Sequence, residues 1–374
     1  MVLIVAFICV AVLIFGQMYV YKKFWDDRLD VEISYKNVYC VAEEENELVE
    51  VIVNHKWLPL PMMHVKFDMP KSFVFENENN SSVSDYYYRD DVFSIMGNQS
   101  VTRILKFRCM GRGCFYMHDT NITCGDLFQR TTFTARRKNE KVIHVFPKKI
   151  GLEFLEAPFN TITGNFVTNK TLIEDPFEFR GIREYQPYDG IRHINWKSSA
   201  RNGELKVNTY FMTSSQTINV ILNIDTQTYS RSDRMIEYII SLASSICEKL
   251  INEGIPTGLT TNGKDIYTEE HVITSVGSGV KHMVAIDTAL ARLDAHADNF
   301  NFADILSDSM DTEAGLAGAG MCYIIISNNR SKEVVNVYKA AKQGGAQAYF
   351  IIPEYRQYQE EEDIPDAIHW NIEL

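Results

Sequence analysis

Residues Thr217 to Asp225 read Thr-Ile-Asn-Val-Ile-Leu-Asn-Ile-Asp, and they predict a buried β-strand that ends at an aspartate. Such a short and largely apolar run is typical of a strand that is covered on both faces. A helix is predicted next, with Ser232 as its N-cap and Gly254 beyond its last turn. The apolar stripe of that helix consists of Met235, Ile236, Ile239, Ile240, Ala243, Ile246, Cys247 and Leu250.

The same alternation of helix and strand continues toward the C-terminus. Helices are predicted over Lys281–Leu293 and Glu333–Lys342, and apolar strands over Met321–Ile326 and Gln347–Ile352. Apolar strands that are separated by helices predict a parallel sheet with helices on both faces. We therefore predict a doubly wound α/β domain over residues 212–374.

Residues 29–150 show a different pattern, which is typical of antiparallel strands. Polar and apolar residues alternate in His64–Met69 and again in Leu105–Cys109, as expected for strands with one solvated face. The stretch Glu76–Asp91 is rich in Asn, Ser and acidic residues and predicts a long loop. Several short strands with turns between them predict an antiparallel β-sandwich over this region.

The N-terminal segment predicts a membrane anchor. Met1–Tyr21 has no charged side chain, and it is long enough to cross a hydrocarbon core of about 30 Å at about 1.5 Å per residue. Nothing basic precedes the apolar run and Gly16–Tyr19 is a poor cleavage site, so an uncleaved transmembrane helix over residues 1–21 is favoured over a signal peptide. Because Lys22 and Lys23 lie on the C-terminal flank, the positive-inside rule predicts a single-pass cell-membrane protein with its large domain in the cytoplasm.

Composition narrows the class of protein further. The chain has 374 residues, which suggests two folded domains beside the anchor. A net charge of -12 disfavours a general nucleic-acid binder, which needs a basic surface. Seven cysteines without a C-x-x-C pair argue against a zinc site and a disulfide framework. Small buried thiols are favoured over the alternative, a single bridge among Cys109, Cys114 and Cys124.

Between the two halves lies an unusually basic segment, inside a connector that we place at residues 151–211. From Arg180 to Lys206 there are six Arg or Lys residues and three acidic ones, in a chain that is acidic as a whole. The guanidinium groups of Arg183 and Arg192 are suited to carboxylate partners, and acidic residues lie close by in sequence. Trp196 adds a large apolar side chain with one hydrogen-bond donor.

This segment closely resembles the signature of the domain of unknown function 58 family. That motif is roughly Arg-Glu-Tyr-x-Pro-Gly-Asp-x-x-Arg-x-Ile-x-Trp-x-x-Ser-Ala-Arg. Tyr188 departs from it, because the family commonly has glycine at that position. The matching residues are Arg183, Glu184, Tyr185, Pro187, Asp189, Arg192, Ile194, Trp196, Ser199, Ala200 and Arg201.

The resemblance implies a fold class and a kind of partner. It implies an α/β fold with a von Willebrand factor A-like doubly wound parallel sheet over 212–374, preceded by an antiparallel β-sandwich and one N-terminal transmembrane helix. Members of this family look like partners of MoxR-type AAA+ ATPases. Many have two N-terminal transmembrane helices, whereas this chain shows one.

The resemblance also raises the question of a metal site at a strand end. The von Willebrand factor A fold often holds a divalent cation with Asp-x-Ser-x-Ser, since hard cations need several oxygen ligands. Here Asp225 is followed by Gln227 and Tyr229 in place of the two serines, and Asn328 stands after the later strand. One carboxylate with neutral neighbours is a poor magnesium site, so we predict no metal and no cofactor.

An enzymatic function is not expected, because no motif assembles a nucleophile, a base and an orienting group. The stretch Gly258–Asp265 has the glycine and lysine spacing of a phosphate-binding loop, but Asp265 replaces the metal-binding hydroxyl. Its Asn262-Gly263 pair predicts a hairpin turn instead.

The predicted function is therefore that of a membrane-anchored adaptor, which works with a protein partner such as a MoxR-type ATPase. We expect it to present the strand-end surface around Asp225 and Asn328, because ligands of open α/β sheets bind at the carboxyl ends of strands. The signature segment has two open interpretations. It locks the two domains together, or it forms a docking surface for an acidic partner through Arg183, Arg192, Lys197 and Arg201.

An extracellular adhesion or ligand-binding module is the alternative function. Several Asn-x-Ser/Thr triplets would suit an exported chain, although such triplets are common by chance. They begin at Asn80, Asn98, Asn121 and Asn169.

Overall fold

The structure is a computed structural model of the chain. It describes residues 2–76, 81–83, 86–153, 173–186, 190, 194–213, 217–225, 233–314, 321–354, 364 and 366–371. The chain divides into two compact units, Met1–Lys148 and Lys149–Leu374.

The first unit begins with a long helix, α1 (Val2–Phe24). Its segment Leu3–Phe24 is long and apolar enough to cross a membrane, and its apolar side chains are exposed over most of that length. The burial changes in the last turn, where Tyr21 and the following Trp25 enter the core of the unit. The apolar segment therefore continues directly into a folded domain.

Twelve described strands follow α1 and form three sheets. The strand orders are β1-β3-β8-β5, β11-β10-β4-β7-β6 and β2-β12-β9, and every pairing is antiparallel apart from β2 with β12. The strands are β1 (Leu29–Tyr35), β2 (Tyr39–Val41), β3 (Glu45–Asn54), β4 (Leu60–Pro70), β5 (Phe73–Phe75), β6 (Ser81–Val83), β7 (Tyr86–Ile95), β8 (Gln99–Cys109), β9 (Gly113–Tyr116), β10 (Thr120–Gly125), β11 (Thr132–Arg137) and β12 (Val142–Phe146).

The alternation of buried and exposed residues along these strands shows which side chains form the core. In β3 and β7 every second side chain is buried, as expected when one face of a sheet packs inward. Phe73 stacks on Phe107 within this core, with 5.1 Å between ring centroids. The loop predicted over Glu76–Asp91 is wrong in part, because β6 and most of β7 lie in that range. A run of three tyrosines favours a strand, and the polar Asp91 that follows is buried with ionic partners.

The second unit starts with a two-stranded sheet and a short helix. β13 (Ile173–Glu184) pairs with β14 (Lys206–Thr213), and the helix α2 (Trp196–Asn202) lies between them in sequence.

A seven-stranded sheet forms the rest of this unit, with the order β17-β16-β15-β19-β20-β21 and β18 paired to β16. The strands are β15 (Thr217–Leu222), β16 (Thr257–Asp265), β17 (His271–Gly277), β18 (Leu293–Asp294), β19 (Met321–Ile326), β20 (Gln347–Glu354) and β21 (Ile368–Asn371). Four helices accompany them among the described residues: α3 (Asp233–Asn252), α4 (Val280–Ala291), α5 (Phe302–Ala314) and α6 (Lys332–Gln343).

Alternate residues of this sheet enter two separate apolar clusters. Val220 and Leu222 pack in a cluster with α3 and α4, whereas Ile221 packs in another with α5 and α6. The period of two along a strand separates these side chains onto opposite faces. The predicted apolar stripe of α3 is buried along its whole length.

The predicted fold class, α/β with a von Willebrand factor A-like doubly wound parallel sheet, is wrong for this chain. Eleven of its sixteen described strand pairings are antiparallel. The sheet of the second unit is itself mixed, because β17 and β18 both run antiparallel to β16. The prediction rested on the apolar sequences of the buried strands β15, β19 and β20. Apolar runs of this kind do not distinguish a parallel sheet from a mixed one.

The hairpin turn predicted at Asn262-Gly263 is also wrong, since both residues lie within β16. Gly263 is required there by close packing, because a Cβ at this position would lie 2.3 Å from Ile224 Cδ1 and 2.6 Å from Leu293 Cδ1. The chain turns later, between Asp265 and His271.

Candidate functional site

The described residues of the signature segment lie at the end of β13, in α2 and at the start of β14. In the ladder between β13 and β14, Arg183 lies opposite Val207 and Glu184 lies opposite Lys206. Ile194 forms an isolated bridge with the same Val207, just before α2 begins. Both ends of the segment are thereby attached to β14.

Hydrogen bonds from two side chains fix the position of α2. Asn195 is its N-cap and accepts a hydrogen bond from the Ser198 amide at 2.9 Å. The buried Ser199 hydroxyl donates to the Asn195 carbonyl at 2.8 Å and accepts from the Lys206 amide, also at 2.8 Å. Gly203 ends the helix in the left-handed region, with φ of 75°. The signature residue Ser199 therefore has a structural role, because it ties α2 to β14.

Trp196 is the first residue of this fixed helix, and its side chain faces outward. It is 63% exposed, which makes it one of the most exposed large side chains of the second unit. Lys197 and Arg201 on the same helix are exposed as well. This short helix therefore exposes a tryptophan and two cations. The interpretation that the signature segment locks the two domains together stays a prediction.

The remaining signature residues differ in how they are held. Arg183 donates from Nη1 to the carbonyl of Glu184 at 3.0 Å. The Glu184 carboxylate lies 3.5 Å from the ammonium of Lys206, so its partner is a lysine on the neighbouring strand. The backbone amide of Tyr185 donates to the Leu205 carbonyl at 3.0 Å, and this tyrosine is half-buried. Pro187, Asp189 and Arg192 lie outside the described residues.

The second predicted surface lies where β15 and β19 end. These two strands pair in register from Thr217 to Leu222, so Asp225 and Asn328 follow neighbouring strand ends and both are half-buried. Asp225 and Asn328 therefore lie at the same edge of the sheet, where the sequence analysis predicted them. Within the described residues, no group of three or more His, Cys, Asp or Glu side chains could hold a metal ion.

Beneath this edge lies a buried network of neutral side chains. Asn223 Nδ2 donates to the Ser327 hydroxyl at 2.9 Å, and Asn262 Nδ2 donates to Asn223 Oδ1 at 2.9 Å. Asn262 Oδ1 in turn accepts from the Ile224 amide at 2.9 Å. The three side chains are fully buried and satisfy one another, which is how buried polar groups are usually stabilised. The network underlies this edge of the sheet and carries no charge.

Sequence reasoning missed an ionic cluster at the start of the second unit. Lys149 Nζ donates to Ser244 Oγ at 2.5 Å and lies 2.9 Å from Asp287 Oδ1. The Ser244 hydroxyl also donates to Asp287 Oδ1, at 2.6 Å. Burial raises the pKa of Asp287, against the lowering effect of Lys149 and Ser244. The available signal was the presence of Ser244 and Asp287 on the apolar faces of α3 and α4.

A second missed cluster is buried in the sandwich. Asp91 accepts from Arg89 Nε at 2.5 Å and from Arg103 Nη1 at 2.8 Å. The fully buried Glu50 lies opposite Arg103 in the ladder between β3 and β8. Burial, followed by the negative charge of Asp91, raises the pKa of Glu50 to about 8. One carboxyl of the sandwich core is therefore held close to its neutral form.

The cysteines are all free thiols, and most are buried. Cys40 and Cys109 lie with their Sγ atoms 3.7 Å apart in the core of the sandwich. Cys114 Sγ lies 3.0 Å from His144 Nδ1. None of the three cysteines proposed for a single bridge is bonded to another.

A family model matches part of the chain. The family model described as "Protein of unknown function DUF58" matches residues 181–333. This range begins inside β13, contains the whole of α2 and β14, and ends in α6. The signature segment thus belongs to the matched region.

The identity to a curated relative is low. The chain is 20% identical to the Uncharacterized protein YeaD of Bacillus subtilis (strain 168) over 210 residues, which cover 56% of this chain and 50% of YeaD. The match therefore spans half of the length of that relative.

Two solved structures resemble part of the chain. A non-cellulosomal cohesin from Archaeoglobus fulgidus is 13% identical, with a TM-score of 0.22, and the match covers 35% of this chain and 97% of the cohesin. The CARDB domain of the PF1109 protein from Pyrococcus furiosus is 14% identical, with a TM-score of 0.20, covering 31% of this chain and 91% of that domain. At these scores the likeness carries no argument about function.

Proposed function

We propose that the chain is a membrane-anchored, non-enzymatic adaptor that binds a protein partner through the surface of α2. The observation that carries this proposal is the 63% exposure of Trp196 on a helix that is fixed at both ends. Tryptophan is enriched among the few residues that supply most of the binding energy of protein interfaces. A fixed tryptophan loses little conformational freedom when a partner covers it.

The charges beside Trp196 define the kind of partner. Lys197 and Arg201 are exposed on the same short helix, and Arg183 is exposed at the end of β13. Positive groups at the rim of an interface attract an acidic surface and speed association. The proposed partner therefore presents an acidic rim around an apolar pocket.

The identity proposed for this partner is a MoxR-type AAA+ ATPase. The support comes from the resemblance of residues 183–201 to the family signature, whose members look like partners of such ATPases. An ATPase of this kind is cytosolic, and Lys22 and Lys23 at the end of α1 favour a cytoplasmic position for the folded units.

Binding is assigned to α2 in preference to the strand-end surface for a physical reason. At the strand ends, Asn223, Asn262 and Ser327 satisfy one another and are buried. Asp225 and Asn328 are half-buried beside them, so this edge offers less apolar area to a partner than Trp196 does.

The decisive experiment measures binding of the purified ATPase to the full chain in detergent by calorimetry. Trp196→Ala is expected to raise Kd by about 30-fold or more, since loss of a hot spot costs at least about 2 kcal/mol. Ile273→Ala is the matched control, because Ile273 is 59% exposed on the same unit and lies outside the signature segment. Thermal unfolding of each variant shows whether the fold is retained.

Equal affinity of the wild type and Trp196→Ala for the ATPase, or no measurable binding by the wild type, would contradict this proposal. A reporter fused after Leu374 tests sidedness separately. Activity of that reporter only outside the cytoplasm would favour the extracellular adhesion alternative.

A further inference from the structure

The loop between β10 and β11 reaches the membrane-spanning part of α1. Gln17 lies inside the apolar segment Leu3–Phe24, seven residues before its end. Its side-chain amide donates to Asp126 Oδ2, and its Oε1 accepts from the Leu127 amide, both at 3.3 Å. Lys22 is the nearest charged residue along the helix, and at about 1.5 Å of rise per residue Gln17 lies about 7.5 Å beyond it on the apolar side. The loop is therefore held at a depth that belongs to the bilayer.

The side chains at the tip of this loop suit that depth. Leu127 is 51% exposed and Phe128 is 56% exposed, although both are apolar. Arg130 follows them and is exposed. An arginine at this place can extend its guanidinium to the lipid phosphates while the two apolar side chains point into lipid.

The backbone amides at the tip of this loop are all hydrogen-bonded within the chain. The Asp126 amide donates to the Thr131 carbonyl at 3.1 Å, and the Gln129 amide donates to the Asp126 carbonyl at 3.0 Å. The amides of Phe128 and Arg130 both donate to Asp126 Oδ1, at 3.1 and 2.9 Å. With the Leu127 amide on Gln17, every amide from 126 to 130 has a partner.

The Asp126 carboxylate, which organises this loop, is hydrogen-bonded within the chain as well. It is fully buried, and its second oxygen accepts from the Thr131 hydroxyl and from Gln17. Backbone amides that are hydrogen-bonded within the chain lower the cost of entering a bilayer, where no water is available. Ordinary surface loops do not require such hydrogen bonds.

A neighbouring loop continues this surface one helical turn nearer the sandwich. Tyr21 Oη donates to the Pro59 carbonyl at 2.8 Å, which attaches the loop between β3 and β4 to α1. Trp57 in that loop is 72% exposed. Tryptophan is enriched at the boundary between lipid and water, where its ring is apolar and its N–H is hydrated.

We propose that the tip of the β10–β11 loop, Leu127 and Phe128, inserts into the lipid bilayer that α1 spans, with Trp57 at the lipid headgroups. The occupant of this apolar surface is lipid, because the surface continues the membrane-spanning segment and is hydrogen-bonded to it. This inference rests on the proposed membrane anchoring. It adds a second point of contact, which fixes the sandwich on the membrane surface.

The test places one new tryptophan in the full chain, reconstituted in phosphatidylcholine vesicles. Phe128→Trp is compared with Val38→Trp, and the fluorescence of the wild type is subtracted from both. Val38 is 52% exposed and follows β1, which starts after α1 and leads about 23 Å away at 3.3 Å per residue. Phosphatidylcholine brominated on its acyl chains reports lipid contact, and acrylamide reports access from water.

The tryptophan at position 128 is expected to be quenched by brominated lipid at least about 2-fold more than the one at position 38, and at least about 2-fold less by acrylamide. Leu127→Trp gives a second reading if Phe128→Trp unfolds. Quenching at 127 and 128 by acrylamide, as strong as at 38, would overturn the inference. Protection from both quenchers would overturn it too, because a protein partner or a second copy would then cover the loop.

Alkaline carbonate extraction of the wild type separates this inference from the anchoring itself. Release of the chain from the vesicles would overturn both. Retention of the chain with a water-exposed tryptophan at 128 would overturn the inference alone.

Discussion

The ammonium of Lys149 lies 2.9 Å from Asp287 Oδ1, where α3 and α4 pack together. Lys149 is the first residue of the second unit, and its neighbour Ile150 donates its amide to Ser245 Oγ at 2.9 Å. Asp287 has a side chain that is only 7% exposed, so this pair attaches the start of the unit to two core helices. Removal of one partner leaves the other charge buried, which is costly.

Lys149→Met is therefore expected to destabilise the second unit by about 3–5 kcal/mol at neutral pH. Denaturant unfolding measures this, with the buried Trp370 as a fluorescent reporter of that unit. The loss is expected to shrink at acidic pH, because protonation then neutralises the unpaired Asp287. Lys342→Met is the matched control. Its partner Asp366 is 84% exposed, so a change below about 1 kcal/mol is expected. Similar losses in both variants would contradict this role of Asp287.

The buried carboxyl of Glu50 predicts a pH-dependent stability of the sandwich. Its pKa is raised from an ordinary value near 4.5 to about 8 in the folded chain, so the native state binds a proton more tightly than the unfolded state between these values. The contribution is fully present below the unfolded pKa and is lost as the pH rises toward about 8. Unfolding measured from pH 5 to pH 8.5 is expected to show a fall on the order of a few kcal/mol.

Glu50→Gln is expected to abolish most of this slope, because glutamine keeps the shape and does not titrate. Glu45→Gln is the control on the same strand, where the side chain is 53% exposed and pairs with Arg108. An unchanged slope in Glu50→Gln would show that another group is responsible.

The buried cysteines are expected to resist alkylation in the folded chain. Burial raises the pKa of Cys124 to about 11 and of Cys247 and Cys322 to about 12, so their reactive thiolates are scarce at pH 8. Maleimide labelling followed by mass spectrometry is expected to modify the half-buried Cys114 well before these three. Denaturant should then expose all of them. Labelling of Cys247 as fast as Cys114 in the native chain would contradict the packing of α3.

Gly263 tests the strand assignment of β16. Gly263→Ala is expected to cost about 1–3 kcal/mol, because the added methyl group meets Ile224 and Leu293 in a packed core. Gly181→Ala is the control, since its nearest neighbour would be Thr209 Oγ1 at an ordinary 3.7 Å. Denaturant unfolding compares the two. A neutral effect of Gly263→Ala would instead favour the turn that the Asn-Gly pair predicted.

Local patterns predicted the elements whose side chains are governed by periodicity. The strand Met321–Ile326 was predicted to the residue, and α3 was predicted from its apolar stripe. β16 was missed because its glycines and threonines give no apolar run. Their place in the sheet depends on close contact with Ile224 and Leu293, which lie 39 and 30 residues away in sequence. Strand direction also depends on such distant contacts, which explains the wrong fold class.

The sequence predicted which residues form the candidate site, but it did not predict which of their side chains are exposed. The motif identified Trp196 and Ser199, yet one is 63% exposed and the other is buried against β14. The local sequence does not predict which of the two side chains is exposed. The orientation of the helix decides this, and that orientation depends on the hydrogen bonds of Asn195 and Lys206. The contact of Gln17 with Asp126 joins residues 109 positions apart, and no short pattern could predict it.

The junction of α1 with the sandwich has a mechanical consequence. Trp25 stacks on Phe133 with 6.1 Å between centroids, and Asp26 pairs with Arg137, so the helix enters the domain without a flexible hinge. If α1 spans a bilayer as proposed, a domain that is joined in this way to the helical rod cannot tumble freely. It rotates about the rod and drifts in the plane of the bilayer, which keeps its strands at a constant height for any molecule that approaches from solution.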